Sequence, residues 1–342
     1  MSAMLTPRVL LVIYNPIIES EGSRRLNQVL GWNDPDELCA QYIADVQEAS
    51  HGYVRYQIVE RTELDEYPIK QDGFRYDDAS YLRAWRARAG FHHPDTADYP
   101  ALLARAGFVH RLAAGQVDEL WIMAFPYAGL YESCMGGRGA IWCNGPVIPG
   151  AQEVTRRFVV MGFNYERGVG EMLENLGHRA ESIMEHVFAD VPDREPDDQA
   201  RGSTAGGRSW WDRLLGAVGL RRRSRGARWS ATVDLGGNLW RQFIRYDRSH
   251  PGMAACGNVH FAPSSEADYD WGNRRRVLSN ADDWLNYPNF TGQIREVRCE
   301  EWGGGDIRLH HLWWMKRFPH VEGVTPTGKL NNWWRYVVGL EF

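Results

Sequence analysis

The chain has 342 residues, of which 44% are hydrophobic and 24% charged, and its formal net charge at pH 7 is −5. This composition is typical of a globular protein, and the length fits one large α/β domain or two smaller ones. The acidic balance argues against general nucleic-acid binding, no apolar run approaches the roughly 18 residues of a membrane span, and the five cysteines form no C-x-x-C pair.

The N-terminal part of the chain predicts strands that alternate with helices. Its first apolar run is short and lacks a cleavage-site pattern, so we expect a cytoplasmic protein, with secretion left open if a leader was removed. Arg8–Tyr14 predicts a buried strand and Tyr53–Arg61 a second one. Between them, Asp34 and Pro35 predict the start of a helix that extends to about Ser50. Strand, helix and strand in this order predict a parallel sheet.

The next segment predicts a third strand with a ligand site beyond its end. Helices are expected at Ala79–Arg88 and Asp98–Ala114, followed by a strand at Asp118–Phe125. Ligands bind beyond the carboxyl ends of strands in such sheets, so we expect Glu132 and Arg138, a few residues further on, to lie near a site. The sequence has no P-loop, no G-x-G-x-x-G that opens a helix after the first strand, and no G-x-S-x-G nucleophile elbow.

The fourth predicted strand, Phe158–Met161, leads into a helix that begins near Gly170 and has two distinct faces. One face is apolar and comprises Leu173, Leu176, Ala180, Ile183, Met184 and Val187. The other face is ionisable and comprises Glu171, Glu174, His178 and Glu181, at steps of three, four and three residues. Three carboxylates without a Lys or Arg on the same stripe predict that a cation or a substrate binds there.

After this helix the composition changes twice. Residues 190–228 run from acidic and proline-rich to basic, which predicts a linker-like, partly disordered insertion with a short amphipathic helix at Trp210–Leu220. Residues 229–342 are rich in tryptophan and loops. We therefore predict a three-layer α/β domain with a mostly parallel sheet over residues 1–189. The C-terminal segment packs on that core, and Gly257–Pro263 is a strand end that enters a loop and carries His260.

The ionisable stripe supports the hypothesis of a metal-dependent hydrolase. One or two histidines with one or two carboxylates are an accepted ligand set for catalytic zinc, and they also suit iron or manganese. A metal-activated water would then attack an amide, ester or glycan bond in a small-molecule, peptide or glycan substrate. The predicted ligands are Glu174, His178, Glu181 and His260. The predicted general base is Glu171 or Glu132, and Tyr165 or Arg138 would stabilise the developing negative charge.

Three alternatives remain open at the level of the sequence. The stripe lies nearly opposite the apolar face, so it also fits an ordinary solvated helix surface. A metal-free glycosidase would use a pair of carboxylates from Glu132, Glu166, Asp270 and Glu301, beside the aromatic residues of a sugar cleft. A non-catalytic protein would bind a carbohydrate or another ligand on its tryptophans, although the pairs Trp313–Trp314 and Trp333–Trp334 are expected to be core residues more often than a platform.

Overall fold

The fold, which we describe from a computed structural model, is built around a five-stranded sheet. The structure describes residues 4–193 and 233–342. The sheet is mostly parallel and flanked by helices, which confirms the predicted three-layer α/β class. Most of the predicted insertion, including Trp210–Leu220, lies outside the described residues. Within the described residues, no helix is long and apolar enough to cross a membrane.

The predicted strands and helices up to residue 187 are present, together with the short elements β2, β3 and α1 and the strand β6, which were not predicted. The strands are β1 Arg8–Tyr14, β2 Ile17–Ile18, β3 Arg24–Arg25, β4 Gln57–Leu64, β5 Glu119–Ala124, β6 Ser133–Gly136, β7 Phe158–Asn164, β8 Val277–Ser279, β9 Arg295–Val297, β10 His320–Val324 and β11 Leu330–Asn332. The helices are α1 Leu26–Leu30, α2 Pro35–Ala49, α3 Asp78–Ala87, α4 Tyr99–Ala106, α5 Phe108–Ala113, α6 Val169–Val187, α7 Leu239–Phe243, α8 Ile307–Met315 and α9 Trp334–Val337.

The order of strands in the main sheet is β4-β1-β5-β7-β6. β4, β1, β5 and β7 are parallel, whereas β6 pairs antiparallel with β7 at the edge. Because β6 runs backwards, its first residue, Ser133, pairs with Met161 towards the carboxyl end of β7, and its last, Gly136, pairs with Phe158 at the start. The carboxyl end of the sheet therefore lies at the beginning of β6.

The fourth strand continues to Asn164, three residues beyond its predicted end, and three further predictions differ from the structure. The second strand begins at Gln57 instead of Tyr53, because pairing with β1 starts at Arg8. The long helix predicted over residues 98–114 is two helices, since Gly107 between them has a left-handed backbone with φ of 59°. Gly257–Pro263 contains no strand. It is a tight loop in which Oδ1 of Asn258 accepts hydrogen bonds from the backbone N–H groups of His260 and Phe261.

The tryptophans of the C-terminal segment are core residues. Those that the structure describes are at most 8% exposed: Trp240, Trp271, Trp284, Trp302, Trp313, Trp314, Trp333 and Trp334. Phe243 of α7 lies among them, with ring centroids 5.0 Å from Trp284 and 5.2 Å from Trp333 in edge-to-face contacts. Helix α8 of this segment packs against α2 and α6. The C-terminal segment therefore covers the helix that carries the ionisable stripe.

Candidate metal centre

Three side chains from two distant parts of the chain converge beside α6. Glu174 and His178 lie one turn apart on this helix, and His260 comes from the loop after α7. One ligand atom of each lies within 4.8 Å of the other two. The two Nε2 atoms are 3.1 Å apart, and Oε1 of Glu174 lies 3.5 Å from that of His260 and 3.9 Å from that of His178. Ligand atoms of a tetrahedral zinc ion are about 3.3 Å apart, so the cluster has the dimensions of a metal site.

The other ring nitrogen of each histidine contacts a carboxylate. Nδ1 of His178 lies 2.9 Å from Oε2 of Glu181, and Nδ1 of His260 lies 3.0 Å from Oδ1 of Asp268. Glu181 also accepts a hydrogen bond of 3.1 Å from the backbone N–H of Val259, which ties α6 to the loop that carries His260. Metal-binding histidines commonly donate their second N–H to a carboxylate in this way, which fixes the tautomer and orients the ring.

Neutral rings leave only lone pairs at the centre of the cluster when both carry their proton on Nδ1. Nδ1 of His178 is hydrogen-bonded to the carboxylate of Glu181, which only accepts, so this nitrogen carries the proton in the neutral ring. With the same tautomer of His260, whose Nδ1 lies beside Asp268, each Nε2 is an acceptor that faces the other Nε2 and the carboxylate of Glu174. Such a set is stable only when a proton or a metal ion lies between its members. Glu181 contacts the far side of the His178 ring, so it orients this ring from a position outside the group of three.

Glu132 approaches the cluster from the carboxyl end of the sheet. Its Oε2 lies 4.0 Å from Nε2 of His178 and accepts a hydrogen bond from the side-chain amide of Asn144. The backbone N–H of Asn144 is bonded to Ser182 of α6, so the two segments are fastened together. The side chain of Glu132 remains 40% exposed, which leaves it accessible to a ligand. The structure thus brings Glu132 and His260 to the helix face, although they lie far apart in the sequence.

The ionisable stripe of α6 is not a solvated face. The side chains of Glu174 and His178 are 9% and 16% exposed, because the loop of His260 and helix α8 cover them. Burial opposes ionisation of Glu174, yet the hydrogen bond with His260 and the neighbouring histidines lower the pKa of its carboxyl group overall. Burial raises the pKa of Glu132.

Carboxylates raise the pKa values of both histidines in the cluster. Burial disfavours the charged form of His178, but the hydrogen bond to Glu181 and the nearby carboxylates raise its pKa overall. The hydrogen bond with Glu174 raises the pKa of His260. In the absence of a metal ion, the cluster therefore holds protons more tightly than free imidazoles do.

Besides Glu181 and Glu132, which lie next to the cluster, three residues predicted from the sequence lie away from it. Oε2 of Glu171 accepts a hydrogen bond from the backbone N–H of Gly168 and so caps α6. The hydroxyl of the fully buried Tyr165 donates to the backbone carbonyl of Tyr14, 3.1 Å away. Arg138 follows β6 at its far end. The four residues of this strand span about 13 Å, so Arg138 lies that far from the end of the sheet where Glu132 is. The expected role of Tyr165 and Arg138 in stabilising charge is therefore not supported by their positions.

A cleft of about 240 Å³ opens beside Glu132 at the carboxyl ends of β5 and β7. It is lined, among others, by Glu132, Phe125, Asn164, Arg167, Glu171 and Asn175. Glu132 belongs to both the cleft and the surroundings of the cluster, so a substrate in the cleft would reach the candidate metal centre at this carboxylate.

Asp268 and Asn144 were not predicted from the sequence to belong to this site. Both lie in loops, where no periodicity relates them to α6, and only the acidic Asp268–Asp270 segment hints that a carboxylate is present there. Arg167 was also missed, because it precedes α6 in an irregular turn. Comparisons with protein-family models, with curated proteins and with solved structures find no match to this chain.

Proposed function

We propose that the protein is a metal-dependent hydrolase whose metal ion is bound by Glu174, His178 and His260. The supporting observation is that Nδ1 of each histidine contacts a carboxylate, of Glu181 or Asp268, while the two Nε2 atoms face each other and Glu174. Two imidazoles and one carboxylate are a ligand set of catalytic zinc, with iron or manganese as further candidates. When bound in such a site, the ion lowers the pKa of a coordinated water and polarises a carbonyl or similar group.

Glu132 is the general base in this proposal. Its carboxylate stands between the cleft and His178, is partly exposed, and is held by Asn144. Glu171 lines the same cleft but its Oε2 already accepts the capping hydrogen bond of α6. Arg167, which also lines the cleft, takes over the role of stabilising negative charge that the sequence assigned to other residues. The substrate class remains an amide, an ester or a glycan.

The same contacts weigh against a glycosidase that uses two carboxylates without a metal. Oδ2 of Asp270 accepts hydrogen bonds from the backbone of Glu266 and from Asn273, so it stabilises a turn. Glu301 forms an ion pair with Arg295. The buried tryptophans provide no exposed platform in the described part of the C-terminal segment. These observations remove Asp270 and Glu301 from the carboxylate pair and the C-terminal tryptophans from a ligand platform, so the metal-dependent reaction has the stronger support.

The first experiment is elemental analysis of the purified protein by plasma mass spectrometry. We expect close to one zinc, iron or manganese ion per chain, and its loss in a His178→Ala/His260→Ala double variant. His186→Ala is the matched control, because His186 is an exposed histidine further along the same helix. Absence of metal from the unmodified protein, even after incubation with each of the three ions, would overturn the proposal.

The second experiment tests the reaction on panels of amide, ester and glycan substrates. We expect the metal-loaded protein to hydrolyse one class and Glu132→Gln to retain the metal but lose at least about a hundredfold in rate, as is usual for a missing general base. A Glu132→Gln variant with unchanged activity would remove Glu132 from the mechanism. A metal-loaded protein that hydrolyses none of the substrates would refute the hydrolase assignment and leave only a metal-binding protein.

A further inference from the structure

Helices α6 and α8 lie in close, parallel contact. A Cβ atom on Gly170 would lie 2.5 Å from Cγ2 of Ile307, and one on Gly177 would lie 3.5 Å from the ring of Trp314. Gly170 and Gly177 are seven positions apart on α6, and their contacts Ile307 and Trp314 are seven positions apart on α8 in the same order. The two helices therefore run in the same direction. Four residues beyond the first contact on each helix, Glu174 of α6 lies at the same level as residue 311 of α8.

The residue at that level of α8 is His311. Positions i, i+4 and i+7 share one face of a helix, so His311 lies on the same face as the contact residues Ile307 and Trp314. By the same rule, Glu174 lies on the face of α6 that contacts α8. His311 and Glu174 therefore face each other within the interface of the two helices.

The hydrogen bonding of His311 fixes its tautomer. Its Nδ1 lies 2.7 Å from the carbonyl oxygen of Ile307, which only accepts, so Nδ1 carries the proton. The ring is completely buried, and burial disfavours its charged form. Its Nε2 is then a lone-pair acceptor, and this atom has no hydrogen-bond partner among the described residues. A buried acceptor without a partner is unfavourable, and here it lies on the side of the helix that faces a carboxylate.

His311 thus repeats the pattern of the two histidines in the cluster. In all three rings Nδ1 lies beside an oxygen, of Glu181, Asp268 or the backbone of Ile307, and the hydrogen bonds of His178 and His311 leave a lone pair on Nε2. A backbone carbonyl is one of the usual partners for the second nitrogen of a metal-bound histidine.

We propose that His311 is a fourth protein ligand of the metal ion, bound through Nε2 on the α8 side of Glu174. The inference rests on the proposed metal centre and deepens it. His311 lies outside the group whose ligand atoms are all within 4.8 Å of one another, so coordination requires its ring to move towards Glu174. Three imidazoles and one carboxylate fill a tetrahedral ion. An open position for water then requires an ion that takes five or six ligands, as iron(II) and manganese(II) do more readily than zinc.

The test uses cobalt(II) as the probe, because X-ray absorption of the bound ion counts its imidazole ligands. We expect three imidazoles in the unmodified protein, two in His311→Gln, and a fall in cobalt affinity of at least about tenfold for the variant, measured by competition with a chelator. His310→Gln is the matched control. His310 is the adjacent residue of α8, is equally buried, and stacks on Trp271 at 5.2 Å. The His310→Gln variant should keep three imidazole ligands and the cobalt affinity of the unmodified protein.

The outcomes separate the two proposals. Two imidazoles in the unmodified protein, or equal affinities of His311→Gln and His310→Gln, would exclude His311 as a ligand and leave the three-residue site standing. Failure of the unmodified protein to bind cobalt, zinc, iron or manganese would overturn the metal centre itself. The imidazole count of the unmodified protein decides the question even if His311→Gln does not fold.

Discussion

Glu181→Gln is the substitution that tests whether the carboxylates behind the histidine rings support a metal ion. Glu181 makes two contacts at once, with Nδ1 of His178 at 2.9 Å and with the backbone N–H of Val259 at 3.1 Å. A glutamine has one accepting oxygen and one donating amide group, so it can satisfy only one of these two donors. The other donor would face an N–H group. The substitution therefore disturbs both the orientation of His178 and the loop that carries His260.

We expect Glu181→Gln to weaken zinc binding by about 10- to 100-fold, or about 1.4–2.8 kcal/mol. Asp268→Asn should have a smaller effect, below about tenfold, because the side chain of Asp268 is 57% exposed and its asparagine oxygen still accepts from His260. Affinities are measured by competition with a chromophoric chelator at fixed pH and salt. Glu185→Gln is the control, since Glu185 lies one turn further on α6 and pairs at the surface with Arg241.

Equal zinc affinities of Glu181→Gln and Glu185→Gln would refute the reasoning, provided that both variants unfold at the same urea concentration as the parent. In that case the contact between Glu181 and His178 would be an ordinary ion pair of a helix, which contributes about 0.3–0.5 kcal/mol.

Three further predictions concern pH, the helix interface and the core. The pKa values of His178 and His260 are raised above 6.5 in the folded protein. Without metal, the two protonated histidines therefore stabilise the fold fully below pH 6.5, and this stabilisation is lost as the pH rises through the raised pKa values. Metal binding needs the unprotonated rings, so calorimetric titration should show metal affinity rising with pH over the same range. Gly177→Ala should lower the free energy of unfolding in urea by about 1–3 kcal/mol, since its Cβ would lie 2.7 Å from a valine side chain of the His260 loop. A gain of about 1 kcal/mol, the usual effect in a helix, would contradict this contact. Arg179→Met should destabilise by about 3–5 kcal/mol, because it leaves the buried Glu119, 2.7 Å away, without its counterion, and a second substitution of Glu119→Gln should recover part of the loss.

The sequence predicts the parallel part of the sheet well, because each of its central strands is a continuous apolar run. β1 has the predicted bounds, Arg8–Tyr14, and is buried in the sheet between its partners β4 and β5. The break at Gly107 was missed since the apolar pattern continues across it, and only the backbone conformation shows that the helix ends there. The reversal of the chain at β6 was also missed, and this error put Arg138 and Glu132 at the same end of the sheet.

The candidate site was predictable only where it follows helical spacing. Glu174 and His178 are four residues apart, and this spacing alone places them on one face of α6. His260 was proposed from its turn-rich context, and the structure supplies what the sequence lacked, a hydrogen bond between its loop and Glu181. His311 could not be inferred, because its position opposite Glu174 depends on the register of two helices. That register is set by the absence of side chains at Gly170 and Gly177.

What distinguishes the stripe on α6 from an ordinary charged surface is the kind of counterion it has. In the described chain, the ion pairs of Glu174 are with His178 and His260, and Nδ1 of each of these rings already contacts another carboxylate. A buried carboxylate without a lysine or arginine partner needs a proton or a metal ion for neutralisation. A proton between the two Nε2 atoms joins only two of the three acceptors. A metal ion uses all of them together, which is why we favour the metal over a shared proton.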